Sequence, residues 1–214
     1  MTTTRSYQDR CGVARALDVI GERWALLIVR ELLLGSKRFS ELRGGLPRVT
    51  PAVLTDRLRE LEDAGILRHR ASGSSNRTDL YQLTERGHEL EPVLLALGRW
   101  GSAQPPAPDS TMSIDAHALA LRTLFSEQDA AGYELTVALE IEGEMLWACV
   151  SNARFEIQRG RTPSPDVTVA LDRASLRDLL WGGRDLETAL GSGAVQASGD
   201  LEAARVFLGL FPRI

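Results

Sequence analysis

A proline-rich segment near the middle of the chain constrains its fold more than any other feature. Residues 101–111 (GSAQPPAPDST) contain three prolines and no apolar periodicity, which is typical of a linker. The charge changes sign at the same point, because residues 1–101 carry 16 basic and 13 acidic side chains whereas residues 102–214 carry 9 and 16. We therefore expect two domains, 1–101 and 113–214, joined by a linker at 102–112, and we expect them to meet different partners.

Composition and motif content exclude several classes of protein. Hydrophobic residues make up 43% and charged residues 25% of the chain, which is typical of a soluble globular protein. No apolar run is long enough for a membrane span, the N-terminus lacks the pattern of a secretory signal, and cysteines occur only at Cys11 and Cys149. The three histidines have no zinc-binding spacing, and no common catalytic or nucleotide-binding motif occurs. We predict a cytoplasmic protein without metal, cofactor or enzymatic activity.

The first half carries helical periodicity followed by a hairpin pattern. Apolar stripes and glycine stops predict helices at 11–20 and 23–34, a short helix with Ser40 as N-cap, a helix from Thr50 to Ala64, and a last helix from Thr84 to Trp100. Between the last two helices, strands at 66–70 and 79–84 flank a polar loop from Ala71 to Thr78. This order predicts a mainly α winged helix-turn-helix domain with that loop as its wing.

The helix beginning at Thr50 is the predicted DNA-reading element. Leu54, Leu58 and Leu61 form its apolar stripe, which leaves the opposite flank free to enter a major groove. A polar flank of this kind is equally typical of a solvated surface helix, so the order of elements favours DNA binding more than the helix does alone. The predicted DNA-binding residues are Ser40, Arg48, Thr50, Pro51, Ala52, Thr55, Asp56, Arg59 and, in the wing, Arg77.

Several ordered blocks within residues 11–101 resemble the HxlR-type family of bacterial transcriptional regulators. They are CGVARALDVIGERW at 11–24, LLIVRELLLG at 26–35, RFSEL at 38–42, TPAVLTDRLRELEDAG at 50–65 and YQLT at 81–84. The resemblance implies a homodimer, built from the helices at 11–20 and 85–100, that binds a near-palindromic operator in double-stranded DNA. Two recognition helices would then lie about 34 Å apart on one face of the duplex.

Cys11 occupies the position at which several members of that family sense oxidants or electrophiles. A helix N-terminus and nearby arginines favour the reactive thiolate. The alternative interpretation of this cysteine is a small buried apolar residue at the dimer interface. Gly12 departs from the family pattern, in which a proline commonly follows the cysteine.

The second half predicts an α+β domain. A helix at 114–125 precedes alternating segments at 133–142, 144–150, 154–158 and 167–171, and helices return at 174–181, 185–190 and 201–211. We expect an antiparallel sheet with its helices on one side. Residues 113–212, and PDVTVALD at 165–172 above all, resemble the sterol-carrier-protein-like fold, which implies a cavity for a hydrophobic small molecule. Its predicted lining residues, each of which can equally be plain core, are Phe125, Trp147, Trp181, Phe207 and Phe211.

Together these patterns predict a DNA-binding transcriptional regulator whose C-terminal domain binds a hydrophobic effector. One alternative is a lipid-binding carrier or enzyme that uses the winged helix as a protein-contact module. A second alternative is a repressor that senses redox chemistry through Cys11.

Overall fold

The computed structural model describes residues 6–70, 79–107 and 110–212. The chain divides into two compact units, 1–94 and 95–214, and the boundary lies within the helix Glu91–Ser102. The predicted domain bounds 1–101 and 113–214 stay a prediction.

Helices and a small sheet make up the first unit, as the sequence predicted. Its elements are α1 Gly12–Ile20, α2 Ala25–Leu32, β1 Lys37–Arg38, α3 Phe39–Gly45, α4 Pro51–Asp63, β2 Leu67–Arg70, β3 Leu80–Leu83, α5 Glu85–His88 and the start of α6 Glu91–Ser102. The strands pair antiparallel in the order β1-β3-β2. The predicted winged helix-turn-helix order of elements is confirmed.

Local chemistry fixes both ends of α4. The Oγ of Thr50 accepts a hydrogen bond from the Val53 amide, and Pro51 occupies the first helical position, where its missing N–H costs nothing. Gly65 follows the last turn with a φ of +70°, which suits glycine. Leu54, Leu58 and Leu61 are buried along one side, so the predicted apolar stripe does face the core.

Two details of the first unit differ from the sequence-based expectation. Ser40 does not cap α3, because Arg38 is still extended by pairing with β3 and the helix begins at Phe39. The Glu41 carboxylate accepts the Arg38 amide at 2.6 Å and closes this helix start. The last helix is broken into α5 and α6, since Pro92 cannot donate to the carbonyl four residues earlier and its ring collides with that carbonyl.

The second unit is an α+β layer structure. After the end of α6, its elements are α7 Ile114–Leu124, β4 Leu135–Ile141, β5 Glu144–Ser151, β6 Arg154–Arg159, β7 Val167–Leu171, α8 Arg173–Leu180, α9 Leu186–Gly191, β8 Val195–Gly199 and α10 Leu201–Gly209. The sheet has the order β6-β5-β4-β7-β8. The α+β class is confirmed, but the expected antiparallel sheet is mixed, because β4 and β7 run parallel.

The two faces of this sheet differ in burial. Val137, Leu139, Leu146 and Val167 point to one face and are buried, and α10 packs against β4 and β7 there. The opposite face carries exposed polar side chains such as Glu140. This asymmetry places the core of the second unit between one sheet face and its helices.

Candidate nucleic-acid interface

The flank of α4 that lies opposite its leucines is exposed. Ala52, Asp56 and Arg59 are exposed there, with Thr55 beside them. At the N-terminal end, Thr50 and Pro51 are exposed as well. The structure therefore brings six predicted groove-facing residues together on one accessible surface, and their contact with DNA stays a prediction.

Polar contacts within α4 involve two of these side chains, Thr55 and Arg59. The Thr55 hydroxyl donates to the Pro51 carbonyl at 2.9 Å, so its oxygen keeps lone pairs free for an incoming donor. Arg59 lies 3.7 Å from the carboxylate of Asp56, and both side chains are more than half exposed. An ion pair this exposed is weak, so the guanidinium can exchange it for a base edge or a phosphate.

Of the remaining predicted residues of the first unit, some lie beside α4 and one lies outside the described residues. Ser40 is exposed in the first turn of α3, and Arg48 is exposed just before α4. Arg77, and with it the predicted wing from Ala71 to Thr78, lies outside the described residues.

Two basic residues at the base of the wing were not among the predicted sites. Arg68 and Arg70 are exposed on β2, the strand that leads into the wing, and an Arg68 guanidinium nitrogen donates to Gln82 at 3.3 Å. Their signal in the sequence was the alternation of basic residues along the strand next to the loop. His69 stacks on Tyr81 at 4.9 Å between ring centroids and ties the two strands together.

A buried ionic cluster braces the helices that support α4. The carboxylate of Glu31 on α2 is fully buried and pairs with Arg30 at 2.7 Å and with Lys37 at 2.9 Å. Gly45 at the end of α3 lies so close that a Cβ there would overlap a Glu31 carboxylate oxygen. Breaking a buried pair of this kind is strongly destabilising, so the cluster fixes α2, β1 and α3 relative to one another.

Cys11 lies exposed at the N-cap of α1. The backbone amides of Val13 and Ala14 lower the pKa of its thiol. The cause is the cluster of unpaired N–H groups at a helix start, which stabilises the thiolate.

Exposed apolar side chains form stripes on α1 and α6. Val13 and Leu17 lie one turn apart on α1, and Val93, Leu97 and Trp100 follow each other along α6. Trp100 is 73% exposed, which is uncommon for so large an apolar side chain. Contiguous exposed apolar surface of this kind is typical of a protein contact.

The predicted cavity residues of the second unit fall into three places. Phe125, Phe207 and Phe211 pack together with Phe155, at centroid separations of 5.1 to 6.4 Å. The other two predicted residues lie elsewhere: Trp147 points to the opposite sheet face from Leu146, and Trp181 stacks on His117 at 6.2 Å. The structure thus joins three of the five residues, and cavity lining stays a prediction.

Residues 6–70, 79–107 and 110–212 contain no cluster of three metal-ligating side chains. No helix among them has the length and apolar character required to span a membrane.

Comparison with known proteins separates the two halves in the same way. Residues 19–108 match the family described as HxlR-like helix-turn-helix, and residues 116–212 match the SCP-2 sterol transfer family. The resemblances drawn from the sequence are therefore confirmed. A solved structure of the redox regulator HypR in its oxidized form is 38% identical, covering 45% of this chain and 100% of HypR with a TM-score of 0.42.

Two similar curated proteins come from Bacillus subtilis (strain 168), and both are described as uncharacterized HTH-type transcriptional regulators. YvaP is 38% identical over 41% of this chain and 82% of its own length. YdeP is 40% identical over 44% of this chain and 73% of its own length. With most of both relatives matched at this identity, the chain belongs to the HxlR-like helix-turn-helix family.

Proposed function

We propose that this protein is a cytoplasmic, non-enzymatic transcriptional regulator that binds a near-palindromic operator as a homodimer. The observation that carries the proposal is the exposed flank of α4, with Thr50, Thr55 and Arg59 on the side opposite the buried leucines. Hydroxyl and guanidinium groups at such positions can read base edges in the major groove. Arg48 and the wing from Ala71 to Thr78 supply the phosphate contacts that set the register of the helix.

The dimer is supported by the apolar stripes on α1 and α6. In the monomer Val13, Leu17, Leu97 and Trp100 are exposed. Two-fold pairing would bury them, and removing apolar side chains from water favours association. The same symmetry places two copies of α4 about one helical turn of DNA apart, which requires a two-fold symmetric site.

Selection of bound fragments from random DNA tests both statements at once. The expected result is a consensus of two inverted half-sites that the full-length protein enriches. Absence of enrichment, or an enriched site without two-fold symmetry, contradicts the proposal. An Arg59→Ala protein taken through the same selection serves as the control for the role of α4.

We further propose that residues 113–214 bind a hydrophobic small molecule that changes operator affinity. Support comes from the SCP-2 family match and from the packing of the end of α6 on α7. Gly98 lies so close to Thr123 that a Cβ would be 3.0 Å from its Oγ1, and Arg99 donates to the Thr123 carbonyl at 3.4 Å. A ligand that displaces α7 therefore acts on α6, the helix that carries part of the proposed dimer surface.

The size of this effect follows from linkage. An effector changes operator affinity only by the ratio of its affinities for the two dimer arrangements, commonly about 1 to 3 kcal/mol. Titration of the protein-operator complex with a fluorescent fatty-acid probe, read by anisotropy of labelled DNA, is the test. Probe binding by a protein that enriches no DNA would instead favour the carrier alternative.

A second candidate function is thiol-based sensing of oxidants or electrophiles, favoured by the exposed Cys11 and its lowered pKa. Its thiolate adds to the activated C=C bond of an electrophile: the sulfur–carbon bond forms, the π bond breaks, and the neighbouring carbon takes a proton from water. The adduct alters the start of α1 in the proposed dimer surface. Treatment with N-ethylmaleimide should then release operator from the native protein and from Cys149→Ser but not from Cys11→Ser. Equal release from Cys11→Ser would rule this function out.

A further inference from the structure

Two buried ring nitrogens in the second unit have no hydrogen-bond partner among the described residues. They are Nε2 of His117, on α7, and Nε1 of Trp181, directly after α8. His117 is 2% exposed, and the two rings stack with centroids 6.2 Å apart and planes inclined by 19°. Buried polar atoms are nearly always paired in native proteins, so two unpaired atoms on stacked rings indicate a site for a polar group.

The hydrogen bond on the other side of the imidazole fixes what His117 can do. Its Nδ1 lies 2.9 Å from the Ser113 carbonyl, which can only accept, so Nδ1 carries the proton. Burial, opposed by this bond and reinforced by Arg173 and Arg177, lowers the pKa of His117 and keeps the ring neutral. Its Nε2 is therefore an acceptor without a donor, whereas the indole Nε1–H of Trp181 is a donor without an acceptor.

Few chemical groups satisfy both atoms. A carbonyl, an ether or a carboxylate accepts from Trp181 but turns a lone pair toward His117, and an ammonium group donates to His117 but leaves Trp181 unpaired. A hydroxyl group donates through its hydrogen and accepts through its oxygen.

The helices that carry the two rings contribute buried apolar residues to the core of the second unit: Leu179 and Leu180 on α8, and Ala118 and Leu121 on α7. The charges of Arg173 and Arg177 also act on His117. We propose that His117 and Trp181 form a subsite for the hydroxyl group of an otherwise apolar ligand, an alcohol or a phenol. The inference rests on the proposed ligand-binding role of residues 113–214 and names the polar group of that ligand.

Binding of matched hydroxyl and methyl ether ligands to the full-length protein tests the subsite. The probes are 1-dodecanol against dodecyl methyl ether and 4-octylphenol against 4-octylanisole, measured by calorimetry. An ether can still accept from Trp181 but cannot donate to His117. We expect at least one hydroxyl ligand to bind about tenfold or more tightly than its ether, and the pair that does so distinguishes an alcohol site from a phenol site.

Variants of the two rings separate this role from a structural one. His117→Asn keeps an amide donor for the Ser113 carbonyl but lacks an acceptor at the Nε2 position. Hydroxyl and ether ligands should therefore bind this variant with about the same affinity. Trp181→Phe keeps an aromatic ring but loses the indole N–H, so it should lower the affinity for hydroxyl and ether ligands alike. The circular dichroism and urea unfolding of each variant report that the second unit is folded.

Each outcome decides the inference. A hydroxyl preference that disappears in His117→Asn supports it. Equal binding of hydroxyl and ether ligands overturns the hydroxyl subsite but leaves a ligand-binding second unit intact. Binding of neither ligand, or an unchanged preference in His117→Asn, also overturns it, while DNA selection tests the regulator proposal independently.

Discussion

Replacing Arg59 by alanine should change DNA recognition without changing stability. The Arg59 side chain is 68% exposed and its ion pair with Asp56 is 3.7 Å long, so its loss should alter the free energy of unfolding by less than about 1 kcal/mol. The adjacent Leu58 is 2% exposed, and its replacement by alanine should cost about 2 to 5 kcal/mol. Two neighbouring residues of one helix thus separate folding from recognition.

The effect of Arg59→Ala on the operator is expected to be large. One specific contact to a base is worth about 1 to 3 kcal/mol, which corresponds to roughly 5- to 150-fold in Kd. A symmetric dimer loses the contact in both half-sites, so the fold-change is expected to be near the square of that value. The base preference of the half-site should also broaden at one position, because the contact that discriminates there is gone.

Three measurements test this prediction. Fluorescence anisotropy on the selected operator gives the affinity, repeated selection with the variant gives the base preference, and urea unfolding gives the stability. Arg161→Ala is the matched control, since it removes one exposed arginine from a loop of the second unit and should leave base preference unchanged. Unaltered affinity and preference in Arg59→Ala, or uniform weakening on all sequences, would refute the assignment of this flank to the major groove.

The remaining predictions concern the cap, the wing, the dimer surface and the buried histidine. Thr50→Ala should lower the free energy of unfolding by about 0.5 to 2 kcal/mol through loss of the α4 cap, read by urea titration; an unchanged midpoint contradicts this. Arg77→Ala should weaken binding to every sequence and flatten the salt slope by about one unit; a changed base preference contradicts it. Trp100→Glu should shift sedimentation from dimer to monomer, whereas a persistent dimer excludes α6 from the interface. The pKa of His117 is lowered in the folded protein, so its contribution to stability is complete above the unfolded pKa of about 6.5 and is lost as the pH falls below that value. The Tm of His117→Asn should therefore decrease less than the Tm of the native protein between pH 8 and pH 5.5. Equal decreases in Tm contradict this.

Local signals made the first unit predictable from its sequence. Thr50 and Pro51 favour a helix start and Gly65 favours a helix end, so the bounds of α4 could be predicted from these residues alone. The leucine spacing predicted its buried side. Errors arose where a distant strand decided the outcome, since the pairing of β1 with β3 keeps Arg38 extended and moves the start of α3 away from Ser40. The break between α5 and α6 was signalled by Pro92.

The second unit was predictable as elements and less so as a sheet. Alternation shows that β4 and β7 are strands, but it contains no information on direction, and these strands run parallel. Strand β8 escaped prediction because Gly, Ala and Ser occupy much of it, and these residues are weak strand formers. The same alternation does imply that Trp147 and Leu146 point to opposite faces, whereas the unpaired nitrogens of His117 and Trp181 exist only in the tertiary structure.

Photo-crosslinking from α4 to the selected operator tests the central claim most directly. A benzophenone amino acid replaces Ala52, on the exposed flank of α4, or the exposed Gln196 of the second unit as a control. We expect crosslinks from position 52 to bases inside each half-site and none from position 196. Crosslinks absent from position 52 in a protein that still binds the operator would contradict it.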